Sequence, residues 1–134
     1  MPGTLNLLFY LLPDEAYRLI LEALTRAGYE PHGQCIQDRE SLQKALNPQV
    51  EVILAGVFGS AEGPRQAQQA VQISKLNIPI IAVADPGSQT MLLECLRKGI
   101  ADCVNMEYLN CLPPAVLRAL RYQRLELDKN KVED

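Results

Sequence analysis

None of the side chains able to do chemistry falls into a spacing that chemistry requires. His32 is the sole histidine of the chain, and no acid or cysteine is arranged around it for nucleophilic catalysis. Cys35, Cys95, Cys103 and Cys111 contain no CxxC pair. Without a secretory context their even number does not imply disulfides, so they read as reduced, mostly buried thiols and not as zinc ligands. The segment Gly56-Val57-Phe58-Gly59-Ser60-Ala61-Glu62-Gly63 has the glycines of a phosphate-cradling loop. It lacks the Lys-Ser/Thr ending of a P-loop, and Ser60 is not framed as a nucleophile elbow, which leaves a flexible turn. Three acids remain, Asp14, Glu15 and Asp85, which can line one rim and hold a cation weakly. Asp14 and Asp85 equally suit helix N-caps, and the cap is the preferred reading.

Whatever these residues do, a single domain has to position them. The chain has 134 residues, of which 48% are hydrophobic and 22% charged, enough for one core that buries about two thirds of the unfolded surface. A formal net charge of -3 and a pI near 5.2 argue against a general nucleic-acid binder, which needs a basic face to displace counterions. The start, Met1-Pro2-Gly3-Thr4, has no basic n-region, and the apolar run Leu7 to Leu12 is shorter than a signal-peptide core. No apolar stretch approaches the roughly 20 residues of a membrane span. The expectation is a cytoplasmic protein with no membrane or nucleic-acid partner.

Hydrophobic runs and breakers set out five strands alternating with five helices. Leu5 to Leu12 reads as a central parallel strand, followed by a helix from Glu15 to Ala27 that Gly28 ends. A weak second strand surrounds Gln34-Cys35-Ile36, and Pro31 and Gly33 confine it to an edge. Asp38 caps a short helix through Leu42 and Leu46. Val50 to Val57 is the third strand, Pro64 to about Lys75 a helix, and Ile78 to Ala84 the fourth strand. Ser88 to Lys98 is the fourth helix, Asp102 to Asn105 the fifth strand, and Pro113 opens a last helix reading on to about Lys131. Short connections in this order predict an α/β, flavodoxin-like, doubly wound five-stranded parallel sheet with strand order 2-1-3-4-5. The domain is expected over residues 1–121, with 122–134 extending the last helix toward a following domain.

Several local patterns, in order and at matching separations, resemble the response-regulator receiver family. They are Ala27-Gly28-Tyr29-Glu30 after the first helix, Ile78-Pro79-Ile80-Ile81 in the fourth strand, and Lys98-Gly99-Ile100-Ala101-Asp102 at the turn into the fifth. Leu112-Pro113-Pro114-Ala115-Val116-Leu117-Arg118-Ala119-Leu120-Arg121 is similar to the family's closing helix. The resemblance implies an Asp phosphoacceptor after the third strand, two acids holding Mg²⁺, and a lysine that pairs with the phosphate. This chain has Ala55 or Gly56 at the acceptor, Leu11 and Leu12 at the acid pair, and Met106 at the lysine. At the two switch positions it has Ala84 for the hydroxyl residue and Cys103 for the aromatic one. Leu11, Leu12 and Met106 are expected to pack together as an apolar plug.

The resulting expectation is a degenerate receiver, not an enzyme and without a cofactor or metal. It would act by docking to a protein partner or its own C-terminal output domain, or as a homodimer, through the fourth helix, fifth strand and fifth helix. As a chain that starts at Met1 and stops inside a polar helix, it reads as the N-terminal regulatory piece of a multidomain signalling protein. Arg118, Arg121 and Tyr122 are the contact candidates, and Leu117, Leu120, Arg124, Leu127 and Lys131 follow an imperfect coiled-coil spacing. The alternative is a binder of a nucleotide, flavin or anion at the strand C-terminal rim, and a third reading is a true receiver with a displaced carboxylate.

Overall fold

The computed structural model describes residues 3–121, apart from the side chain of Gln89. Its strands are β1 (Thr4–Tyr10), β2 (Glu30–Ile36), β3 (Val52–Val57), β4 (Ile80–Ala84) and β5 (Asp102–Asn105). Its helices are α1 (Asp14–Arg26), α2 (Arg39–Ala45), α3 (Glu62–Ser74), α4 (Gln89–Arg97) and α5 (112–121). All strand pairs are parallel, in the order β2-β1-β3-β4-β5, as expected. β3 and β4 are buried at every residue, because helices cover both faces of their sheet.

Side-chain alternation divides the core in two. Leu5, Leu7, Phe9, Val52, Leu54, Ile81, Val83 and Val104 pack beneath Ile20 and Leu24 of α1 and Leu112, Val116 and Ala119 of α5. On the other face Leu8, Tyr10, Ile53, Ala55, Ile80, Ala82 and Ala84 meet Leu42 of α2, Ala67 and Ala70 of α3, and Leu92 and Cys95 of α4. Two edge strands close the sheet. β5 has only four residues, while β2 runs for seven, longer than Pro31 and Gly33 suggested.

The caps differ from expectation in two places. α1 begins one residue early, with Pro13 as N-cap at φ −61° and ψ 153° and no side-chain cap bond. The proline ring already supplies the extended cap backbone, and Asp14 becomes the first helical residue, where its charge suits the helix dipole. Asp85 caps nothing with its side chain either; its backbone carbonyl accepts from Ser88 N–H at 3.0 Å and opens a 3₁₀ turn over Pro86–Ser88. Asp38 does cap α2, accepting from Ser41 N–H at 2.8 Å and from the Ser41 hydroxyl at 2.9 Å.

Those bonds hold the Asp38 carboxyl below the usual aspartate range, the Ser41 backbone bond first. A depressed folded value means the contribution to stability is present above the unfolded pKa and fades as pH falls through the folded one. Asp38→Ala should therefore lower the denaturation midpoint at neutral pH and leave it unchanged in strong acid. Asp38→Asn, which keeps an acceptor, should lose less. Urea titrations of both variants at the two pH extremes check this, and an equal loss in acid would remove the cap as the cause.

Candidate functional site

The C-terminal rim of the sheet gathers the positions where receiver chemistry would reside. The register sets Tyr10, Ala55, Ala82 and Cys103 in one row across β1, β3, β4 and β5, with Gly56, Val83 and Val104 in the next and Val57, Ala84 and Asn105 beyond. Ala55 and Ala84 are completely buried on the α2–α3–α4 face. Neither faces solvent at the rim. In the same layer the Tyr10 hydroxyl donates to Gln66 Oε1 at 2.5 Å, and burial pushes its pKa up.

Gly56 is pinned from both sides by backbone. A Cβ added there would fall against the Leu11 carbonyl oxygen, far inside van der Waals contact, and 3.2 Å from Leu12 Cδ2. On the other side α3 starts so close that a Cβ on Gly63 would lie 2.5 Å from the Gly56 carbonyl oxygen. Leu11 lies over Gly56 because its own backbone is left-handed, at φ 55°, a conformation that costs a branched residue of order 1–3 kcal/mol unless its surroundings hold it. Its N–H donates to Ile36 O at 2.9 Å, and Gln37 Nε2 reaches Leu12 O at 3.3 Å. The β1–α1 turn is thereby tied to the end of β2.

Leu11, Leu12 and Met106 do not form one plug. Leu12 is buried and Met106 half-buried with the α1–α5 cluster, whereas half-buried Leu11 packs with the α2–α3–α4 cluster. Consecutive strand residues already face opposite sides; at the positive φ of Leu11 the alternation breaks, so that Leu11 lies on the same side as Tyr10 and Leu12 on the same side as Phe9. Met106 also opens a 3₁₀ turn over Met106–Cys111. A Met106→Lys substitution should accordingly cost only about 1 kcal/mol, since the amine can reach water.

The acids do not converge. Among the described residues no group of three His, Cys, Asp or Glu side chains is placed to hold a metal ion. Asp14 and Glu15 are exposed in the first turn of α1, while Asp85 is half-buried with Oδ1 shielded and without a hydrogen-bond partner. Ser88, the buried polar residue of the rim, accepts from Gly59 N–H at 2.8 Å. That bond closes the β3–α3 turn onto the turn after β4. Gly63 and Ser88 were missed in the sequence, where one reads as a loop glycine and the other as the start of a helix.

The cysteines stay free. Cys103 points its Sγ toward Leu92 O on α4 at 3.6 Å, and burial pushes its thiol up to about 12. Burial also raises Cys95 and Cys35. At neutral pH brief alkylation of the folded protein should therefore label exposed Cys111 first and Cys95 and Cys103 last, as peptide mass mapping can read out. Rapid labelling of Cys103 would show that α4 does not stay packed on β5.

One surface stands out at the β5 edge. Leu93 and Leu96 of α4 are 60% and 49% exposed. Leu92 and Cys95 face the sheet, and Glu94, Cys95 and Lys98 line a small cleft with Pro64, Arg65 and Gln68 of α3. At roughly 3.6 residues per turn, Leu93 and Leu96 then fall on the flank away from α3, beside β5. Arg118 bounds the same edge from α5, its Nε and Nη2 reaching Asp102 Oδ2 at 3.2 and 2.7 Å. It is thus an exposed residue already engaged within the chain. Arg121 is exposed, and half-buried Leu120 packs against the α1–α5 core. Tyr122, Arg124, Leu127 and Lys131 lie outside the described residues.

No family model matches the chain, and no curated protein sequence does. Solved structures do match. NtrX from Brucella abortus in complex with ADP superposes with a TM-score of 0.75 at 16% identity over 95% of this chain, which spans 28% of the NtrX chain. The signal receiver domain of a LuxO repressor protein from Vibrio parahaemolyticus gives 0.70 at 14% identity, over 98% of both chains. The receiver domain of a diguanylate cyclase from Desulfovibrio desulfuricans gives 0.69 at 16% identity, over 90% of this chain and 97% of that one. The chain has the fold of response-regulator receiver domains. At these identities the likeness concerns the fold, and the chemistry has to be argued from the residues. No helix among the described residues is long and apolar enough to cross a membrane.

Proposed function

We propose that the chain is a receiver-like regulatory module that works without phosphorylation and without catalysis, by docking to a protein partner or to an output domain of its own. The observation that carries this is the Leu11 backbone seated on Gly56, with the Gly63 turn pressed on its far side. A side chain added at Gly56 would meet main chain directly, which supports a site without an acceptor there. Neither Ala55 nor Gly56 carries an oxygen to phosphorylate, Leu11 and Leu12 offer Mg²⁺ no ligand, and Met106 offers a phosphate no charge. Without a phosphoryl input, the docking surface has to be set by association itself.

The preferred docking surface is the α4–β5–α5 edge. Leu93 and Leu96 supply exposed apolar area there, and the Asp102–Arg118 pair a polar rim, the usual division of a protein interface. The rival reading, a ligand at the strand C-terminal rim, is not favoured. The cavities of about 500 Å³ beside Ile78–Ile80 and Ala101–Asp102 and about 400 Å³ beside Asn6–Leu8 open nearer the opposite ends of the strands.

Incubation with a small phosphodonor and Mg²⁺ tests the first half of the proposal by intact mass. No added phosphate is expected, and a stoichiometric base-labile adduct on any Asp or Glu would overturn it. Leu93→Glu/Leu96→Glu tests the second half. It should keep the fold and abolish partner control in the full-length protein, and unaltered output would move the docking surface elsewhere.

A further inference from the structure

We propose that a cleft at the N-terminal end of β4 and β5 binds an uncharged, flat aromatic molecule with a hydrogen-bonding edge. The sheet stops there at Ile80 and Asp102, the first residues of the two strands. Helices of both faces meet at the opening. Val71 and Gln72 of α3 line it from one face, and Arg118 and Ala119 of α5 from the other. The cavity measures about 500 Å³, inside the range of roughly 300–1,000 Å³ common to small-molecule sites. It lies at the strand ends opposite the receiver rim and shares with the Leu93–Leu96 surface only the Asp102–Arg118 pair.

Shape and wall chemistry select the ligand. The cleft continues the layer of the sheet, so a guest takes the place that longer β4 and β5 strands would occupy between α3 and α5. A flat ring suits such a slot, with both of its faces on side chains. The wall is apolar and fixed in advance. Ile78, Ile80, Ile100 and Ala119 are each at most 6% exposed and belong to the core clusters of the two sheet faces. An aromatic guest would take that apolar surface out of water. Backbone groups at the opening are already engaged: Pro79 O accepts from Ile53 N–H at 3.0 Å, and Ile80 O from Ala101 N–H at 2.9 Å. Polar recognition therefore falls to side chains.

Charge decides the rest. The charged side chains on the cavity wall are Asp102 and Arg118, and they are spent on each other at 2.7 Å. An ion entering the slot would lose its water without gaining a counter-charge. The other polar side chains on the wall are amides, Gln68, Gln72 and Asn77, a type that both donates and accepts. Gln68 Nε2 donates to Lys98 O and so holds α3 to the turn before β5, which keeps the mouth of the cleft in shape. A ring carrying an N–H or a carbonyl at its edge matches amides of this kind.

The site goes beyond the docking surface proposed above and can fail independently of it. N-phenyl-naphthylamine, an uncharged aromatic amine that fluoresces once removed from water, should bind the full chain saturably, one molecule per chain. Anilinonaphthalene sulfonate, the same ring system with a negative charge, should bind at least about tenfold more weakly. Ala101→Phe and Gln72→Phe fill the cavity from two walls at exposed positions. Each should abolish the fluorescence gain while the melting curve stays close to wild type, and if one fails to fold the other decides. Leu93→Glu/Leu96→Glu should leave probe binding unchanged. A wild-type chain without a saturable fluorescence gain would overturn the proposal. So would equal affinity for the sulfonate, or binding that survives in a folded filler variant. Loss of binding in Leu93→Glu/Leu96→Glu would overturn it too, since the probe would then sit on the docking surface.

Discussion

Gly56→Asp, which would place a carboxylate at the rim of the sheet, is expected to prevent folding or to cost more than about 4 kcal/mol. Its Cβ alone would overlap the Leu11 carbonyl oxygen, with Leu12 Cδ2 3.2 Å away. Backbone has to move to admit it. Leu11 cannot retreat freely, because its left-handed turn is tied by the bond from its N–H to Ile36 O. Retreat of β3 toward α3 is blocked as well, since Gly63 already sits against the Gly56 carbonyl. Gly56→Ala should show most of the same loss, which separates the steric part from the charge. Urea unfolding of both variants measures it. A Gly56→Asp protein within about 1 kcal/mol of wild type would mean that the rim opens readily and that receiver chemistry could be rebuilt there.

Ala55→Asp tests the other register and should fail for a different reason. Ala55 is fully buried in the layer between Tyr10 and Ala82, against α2, α3 and α4. A carboxylate in that layer has no cation to pair with, and the expected loss is about 3 kcal/mol or more at neutral pH. Burial raises the pKa of such an acid above its unfolded value, so the unfolded state releases the proton first. The destabilisation should then be largest above the folded pKa and shrink as pH falls toward the unfolded one. The Gly56→Asp loss is steric and should hardly change over the same range. Denaturation midpoints of both variants at neutral and acid pH, relative to wild type, make the comparison. A loss in Ala55→Asp independent of pH would mean that crowding dominates there too.

The architecture was legible because it rests on local rules. Continuous apolar runs marked the inner strands β1, β3 and β4, and glycines past the helix ends and short connections left few topologies open. Asp38 was readable as a cap because the Ser41 N–H it satisfies lies three residues on. The residue types missing from the rim were equally plain, since one shift of alignment cannot turn Leu11, Leu12 and Met106 into acids and a lysine.

Other features needed the assembled molecule. Asp14 and Asp85 carry the right side chains for caps, but Pro13 and the Ser88 turn took those roles through backbone geometry that composition does not encode. Which side Leu11 and Leu12 take was set at one positive φ that breaks the strand alternation, at a residue bonded to Ile36, distant in sequence. Arg118 looked like a free contact until Asp102 came across from β5. Leu93 and Leu96 resemble core residues in an apolar helix, and only the placement of α3 beside Glu94 and Lys98 turns them outward. Sequence alone determined the order of elements and the residue types at the rim, because strand patterning and residue identity are properties of short segments. Tertiary structure decided how closely main chain packs around Gly56 and which side chains stay exposed, because both depend on contacts between segments that no local pattern specifies.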